Sequence, residues 1–130
     1  MNEPVWLLES TVIALHHFQL AEHGGLDGVR DAGLLQSALM RPRNLWAYSD
    51  EKPDLVTLAA AYAYGISKNH PFLDGNKRSA LVACRTFLRR NGVDLVATQE
   101  EKYLTILRLA EGSLSEAELA DWIRGHLSSG

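Results

Sequence analysis

Apolar positions along this chain recur mostly at steps of three and four, the period of helices that bury one face. From Val5 to His23, residues Leu7, Leu8, Val12, Leu15, Phe18 and Leu20 form such a stripe, and Gly24-Gly25 ends it. Asp31 is placed to cap a second, short helix carrying Leu34, Leu35, Ala38 and Leu39, which closes before Pro42. Arg41 to Lys52 then reads as a loop holding Trp46 and Tyr48. A third helix opens at Pro53 and Asp54 and runs through Leu55, Leu58, Ala59, Tyr62 and Ile66. After a loop from His70 to Asp74, a fourth starts near Gly75, buries Leu81, Cys84, Phe87 and Leu88, and stops at Asn91-Gly92. Val93-Asp94-Leu95-Val96 is the one credible strand. Thr98 with Glu101 and Ser115 with Glu118 are capping boxes ahead of two further helical patterns. The expected fold class is mostly α: a single domain over residues 1–130, a helical bundle with at most a short β segment.

Composition narrows the function classes. The 130 residues are 46% hydrophobic and 22% charged, the balance of a globular domain rather than a disordered tail. The formal charge is −3, so the basic excess of a general nucleic-acid binder is missing and no direct nucleic-acid contact is expected. No apolar run is long enough to cross a bilayer, so no membrane partner is expected. Met1-Asn2-Glu3-Pro4 lacks the cationic start of a secretory signal, and Cys84 has no cysteine to pair with. These features suit a cytoplasmic protein.

Chemistry concentrates in one run, His70-Pro71-Phe72-Leu73-Asp74-Gly75-Asn76-Lys77-Arg78, between two expected helices. Backbone N–H groups at a helix start lack internal partners and lie at the positive end of the dipole, so they bind phosphate. Gly75 lets an anion approach the backbone, Asn76 offers an amide N–H, and Lys77 and Arg78 add cationic donors. Asp74 at the mouth of such a nest suits a divalent cation held between carboxylate and phosphates. His70 is the side chain there that accepts a proton near neutral pH. Together they suggest phosphoryl or nucleotidyl transfer to a hydroxyl. Each also has a plainer reading: Asp74 as an N-cap, Asp-Gly-Asn as a turn, Lys77 and Arg78 as a solvated face. The remaining histidines look structural. His16 and His17 are adjacent on a helix and point apart, and His23 and His126 sit near helix ends.

The run resembles the Fic motif: histidine-proline-phenylalanine, two variable positions, glycine-asparagine, a variable position and arginine. With Asp74 and Lys77 it is similar to the Doc (death-on-curing) branch, where lysine replaces the glycine usual in adenylylating enzymes. His23-Gly24-Gly25-Leu26, Val29-Arg30-Asp31, Gly33-Leu34-Leu35, Ala38-Leu39 and Arg41-Pro42 extend the resemblance over the family's N-terminal region. It implies a Fic-fold helical bundle that uses ATP and Mg²⁺ to modify a protein hydroxyl. Carried over by position, His70 is the base, Asp74 the Mg²⁺ ligand, and Gly75, Asn76, Lys77 and Arg78 the phosphate contacts, with Phe72 a core anchor. Two departures stand out. Leu81 occupies the place of a second arginine common in adenylylating members. The family's internal inhibitory helix also has no counterpart, since Leu107 stands where its serine or threonine should precede Glu111-Gly112.

The resemblance therefore implies a toxin restrained by a small antitoxin protein binding in trans, and a kinase that phosphorylates elongation factor Tu or another translation factor. A cation at Lys77 is expected to turn the nucleotide so that the γ-phosphorus faces the hydroxyl. Adenylylation is the alternative, because Gly75 and Pro71 match those enzymes. An inactive protein-interaction module is the reading of another class, with Trp46 and Tyr48 as interface anchors. Under the enzyme reading, the Arg43 to Tyr48 loop is a candidate flap for docking the target's backbone.

Overall fold

In the computed structural model, which describes residues 2–129, the order is α1 (Glu9–His23), α2 (Ala32–Tyr48), α3 (Leu55–Asn69), α4 (Asn76–Arg90), β1 (Val93–Leu95), α5 (Gln99–Glu111), α6 (Glu116–Arg124) and β2 (Leu127–Ser129). The mostly helical class is as expected. Helix α3 is the axis of the bundle. Its alanines at 59, 60, 61 and 63, with Leu58, Tyr62 and Ile66, are buried around its circumference, so neighbours pack on every side. Helices α2, α4, α5 and α6 all pack on it, and α1 lies on α4. The segment before α1 is pinned by side chains: Leu7 N–H donates to the Tyr62 hydroxyl, and Asn91 bonds both N–H and C=O of Val5. Among the described residues, no helix is long and apolar enough to cross a membrane.

Three helix starts carry the caps expected at Asp31, Thr98 and Ser115, whereas Asp54, expected with Pro53 inside the first turn of α3, precedes that helix as its N-cap. Asp31 and Asp54 accept the N–H groups of Leu34 and Thr57, and the capping boxes at Thr98 and Ser115 both form. Cys84 is a core residue; burial pushes its thiol up to about 12, out of the reactive range.

Three expectations fail. Helix α2 does not close before Pro42 but continues to Tyr48, so Arg41–Tyr48 is helix and not loop. Pro42 is fully buried, and Arg41 ties the same turn to Glu116 by a bidentate ion pair while lying over the Tyr64 ring. Tertiary contacts thus outweigh a helix-interior proline, which costs about 3 kcal/mol by itself. A second strand, β2, pairs antiparallel with β1, Leu95 opposite Leu127 and Val93 opposite Ser129. Its three residues carry no readable alternation. Finally, Phe18 and Leu8 are exposed, and the inner stripe of α1 runs through Val12 and His16 instead.

Pro42 has no N–H for the carbonyl of Ala38, and α3 crosses α2 at that point. A Cβ on Gly65 would lie 3.1 Å from both Cα and O of Ala38. Neither is the end of a flexible side chain. Gly65→Ala is therefore expected to destabilise by about 1–3 kcal/mol through overpacking, despite alanine's better helix propensity. Urea denaturation checks this, and a stabilised variant would contradict the close crossing.

Asp54 supplies a second check. Burial pushes its carboxyl up, but hydrogen bonds from Thr57 and Arg124 outweigh that and hold it below its ordinary value. The folded form thus releases the proton more readily than the unfolded chain. The contribution is complete above the unfolded value near 3.8 and is lost as pH falls through the lower folded value. Asp54→Ala should cost about 1 kcal/mol at neutral pH, with the gap from wild type closing in acid.

Candidate functional site

The chemistry-bearing run lies between α3 and α4. His70 is the C-cap of α3, with φ 48 and ψ 55, the left-handed region. That conformation turns the chain out of the helix and presents His70 to solvent, at the edge of a cleft of about 570 Å³. Among the described residues the imidazole has no hydrogen-bond partner. Leu73, Asp74, Gly75, Asn76, Lys77 and Arg78 line the same cleft. All the expected site residues are thus brought to one place.

Phe72 fastens the loop. It is 1% exposed, and the imidazole of His16 stacks on its ring at 3.8 Å, 7° from parallel. His16 also donates from Nε2 to the carbonyl of Asp74 at 2.8 Å. A carbonyl only accepts, so Nε2 carries the proton. One buried histidine thereby holds two points of the loop. Its neighbour His17 faces outward to Asp27, so the two do point apart. Asn76 makes the third tie: its side chain accepts from Phe72 N–H and donates to Phe72 C=O, both at 3.0 Å. This differs from the expectation that the amide turns toward a phosphate, because Asn76 is buried and its amide is engaged in the loop. On the other side, Val29 forms a bridge with Phe72, Leu73 N–H reaches Gly28 O, and Arg30 N–H reaches Pro71 O at 2.7 Å. The segment running beside the loop is therefore residues 28–31, joined to it by that one bridge and those backbone hydrogen bonds. The expected flap, Arg43 to Tyr48, is helical and lines no part of the cleft.

Helix α4 starts without a side-chain cap and without an acidic residue in its first turn. Gly75 holds the N-cap position at φ 73, a value that a side chain would strain; space is not the constraint, since an added Cβ meets nothing closer than 3.6 Å. The N–H groups of Asn76, Lys77 and Arg78 have no acceptor among the described residues, and they point out of the helix start beside His70. Lys77 and Arg78 form no ion pair there either. Arg78 lies over the Tyr103 ring at 5.3 Å, with Nη1 3.4 Å from Nε2 of His23, so an aromatic ring and an imidazole orient it and no carboxylate is paired with it. His23 and Tyr103 both line the cleft, and neither is singled out by the motif. For His16, the available signal was its position four residues after Val12 on the buried stripe.

Asp74 is exposed, and its Oδ1 accepts from Gly75 N–H at 2.9 Å. Oδ2 lies 3.4 Å from Leu26 N. Among the described residues there is no group of three or more metal-ligating side chains. One hard carboxylate fits Mg²⁺ that arrives with a nucleotide and takes its other ligands from phosphates and water. It does not fit a free-standing metal centre.

Comparison with known proteins places the sequence in a family. The model of the Fic/DOC family matches residues 6–88, which include both the 28–31 segment and the motif. The protein kinase doc of Escherichia phage P1 is 37% identical over 113 residues, 87% of this chain and 88% of that protein. The toxin Doc of Mycolicibacterium smegmatis is 46% identical over 74 residues, 57% of either chain.

The ties to Phe72 rank in energy. Asn76→Ala strips partners from a buried N–H and a buried C=O and should cost about 2–4 kcal/mol. His16→Phe keeps the stacked shape but leaves the Asp74 carbonyl without its donor, and should cost about 1 kcal/mol. Equilibrium urea unfolding of both variants reads this order.

Proposed function

The chain belongs to the Fic/Doc family, and from that premise we propose that it is a Doc-type toxin: a protein kinase that moves the γ-phosphate of ATP onto a threonine or serine hydroxyl of a translation factor, elongation factor Tu foremost. The observation that carries this reading is a single cleft holding an unpartnered imidazole, an uncapped helix start and two unpaired cations. The names of the two relatives, a protein kinase and a toxin, support it.

The triphosphate lies against the free N–H groups of Asn76, Lys77 and Arg78, where the helix dipole and two side-chain cations favour negative charge. Asp74 would hold Mg²⁺, which would supply neutralisation of phosphate charge. His70 takes the proton from the target hydroxyl as its oxygen bonds to the γ-phosphorus. The bond from that phosphorus to the β–γ bridging oxygen breaks, and ADP leaves with the electron pair. A base and an anion cradle fixed in one rigid loop supply alignment, which is most of what this reaction asks of a protein. Lys77 sets the nucleotide's direction, so that the γ- and not the α-phosphorus faces the hydroxyl. Leu81, half-buried on α4, offers no second guanidinium for the opposite pose. ATP and the translation machinery put the activity in the cytoplasm. With no internal inhibitory helix, restraint comes from a small antitoxin protein bound in trans.

The test uses purified protein, cell extract, Mg²⁺ and ATP labelled at either phosphate. Label is expected on a protein band from γ-labelled ATP alone, and His70→Ala should reduce transfer by at least about 100-fold. Label from α-labelled ATP would instead establish adenylylation and overturn the role given to Lys77. In cells, wild-type expression should arrest growth and His70→Ala should not. Equal toxicity would remove His70 from the mechanism.

A further inference from the structure

Arg30 lies outside the motif, yet its side chain reaches the base from behind. Its Nε donates to the carbonyl of His70 at 2.7 Å and its Nη2 to the carbonyl of Asn69 at 2.9 Å. These are terminal carbonyls of α3, groups that a helix leaves without internal donors. A cation there also meets the negative end of the helix dipole.

The conformation being gripped is a costly one. His70 is the one non-glycine residue with positive φ among the described residues. A left-handed backbone crowds Cβ against the residue's own carbonyl oxygen, so it persists only where surrounding contacts impose it. The imidazole contributes nothing to that, since it has no partner. The backbone of residues 30 and 31 holds the next peptide as well, because both N–H groups donate to Pro71 O, at 2.7 and 3.2 Å. The peptides on both sides of Pro71 are therefore set by one short segment.

We propose that Arg30 is a positioning residue for the transfer reaction: its forked guanidinium holds His70 in the left-handed conformation and so aims the imidazole into the cleft. The inference rests on the reading of His70 as the base. Two divergent N–H donors in one plane are needed to span the carbonyls of Asn69 and His70. A lysine ammonium keeps the charge but lacks that fork.

The experiment has an arm that needs no activity. In isotope-labelled protein, a residue with positive φ shows a strong intraresidue amide–Hα Overhauser effect. His70 should show it in wild type and lose it in Arg30→Ala and Arg30→Lys. If it persists in both variants, Arg30 does not hold the conformation and the proposal fails. The second arm measures label transfer and ATP affinity. Arg30→Ala is expected to lower kcat about 100-fold while changing ATP affinity less than about threefold, and added guanidinium ion should restore part of the kcat. Arg30→Lys, which keeps charge and stem, guards against simple misfolding and should stay close to the alanine variant. Equal losses in kcat and ATP affinity, without guanidinium rescue, would show a merely structural residue and overturn the proposal. If wild type transfers no label, the kinase reading falls, while the Overhauser arm still decides whether Arg30 sets His70.

Discussion

The burial of Phe72 is the constraint on which the rest of this site depends. It lies two residues after His70 and four before the start of α4, so fixing it fixes the imidazole-bearing residue and the helix start relative to each other. The fixing is done by dissimilar contacts: a ring stacked on His16, a side-chain amide from Asn76 closed on both its N–H and C=O, and a bridge to Val29. They convert a surface loop, ordinarily the softest part of a fold, into a part of the core that happens to carry exposed chemistry.

Electrostatics follow from what is left undone. The chain is acidic overall, and four of its helix starts are closed by their own side chains. Helix α4 has neither a cap nor an acidic first turn, and Arg78 is oriented by the Tyr103 ring and the His23 imidazole rather than by a carboxylate. An anion entering this cleft therefore meets fixed N–H dipoles and unneutralised charge with little reorganisation.

Much of this was legible in the sequence because it is local. Caps at Asp31, Thr98 and Ser115 act over three residues, and the motif's members lie within nine. Where the reading failed, the deciding contact was distant. Pro42 stays inside α2 because Arg41 reaches Glu116, seventy-five positions on, and because Gly65 lets α3 approach Ala38. His16 was legible only as a structural histidine pointing away from His17; its tie to the loop depends on Asp74, fifty-eight positions away, as acceptor. Asn76 was expected to face a phosphate; instead its amide serves Phe72, and it offers the cleft its backbone N–H. Strand β2 exists only because β1 is there to pair with it.

The central claim is that the start of α4 is a phosphate cradle placed beside His70. The most direct measurement is a titration of isotope-labelled protein with Mg-ADP, followed at each backbone amide. Saturable shifts are predicted at Asn76, Lys77 and Arg78, largest there and fading along α4, and the Lys77→Ala variant should weaken them. Saturation without movement at those three amides, or shifts centred elsewhere on the molecule, would contradict the account.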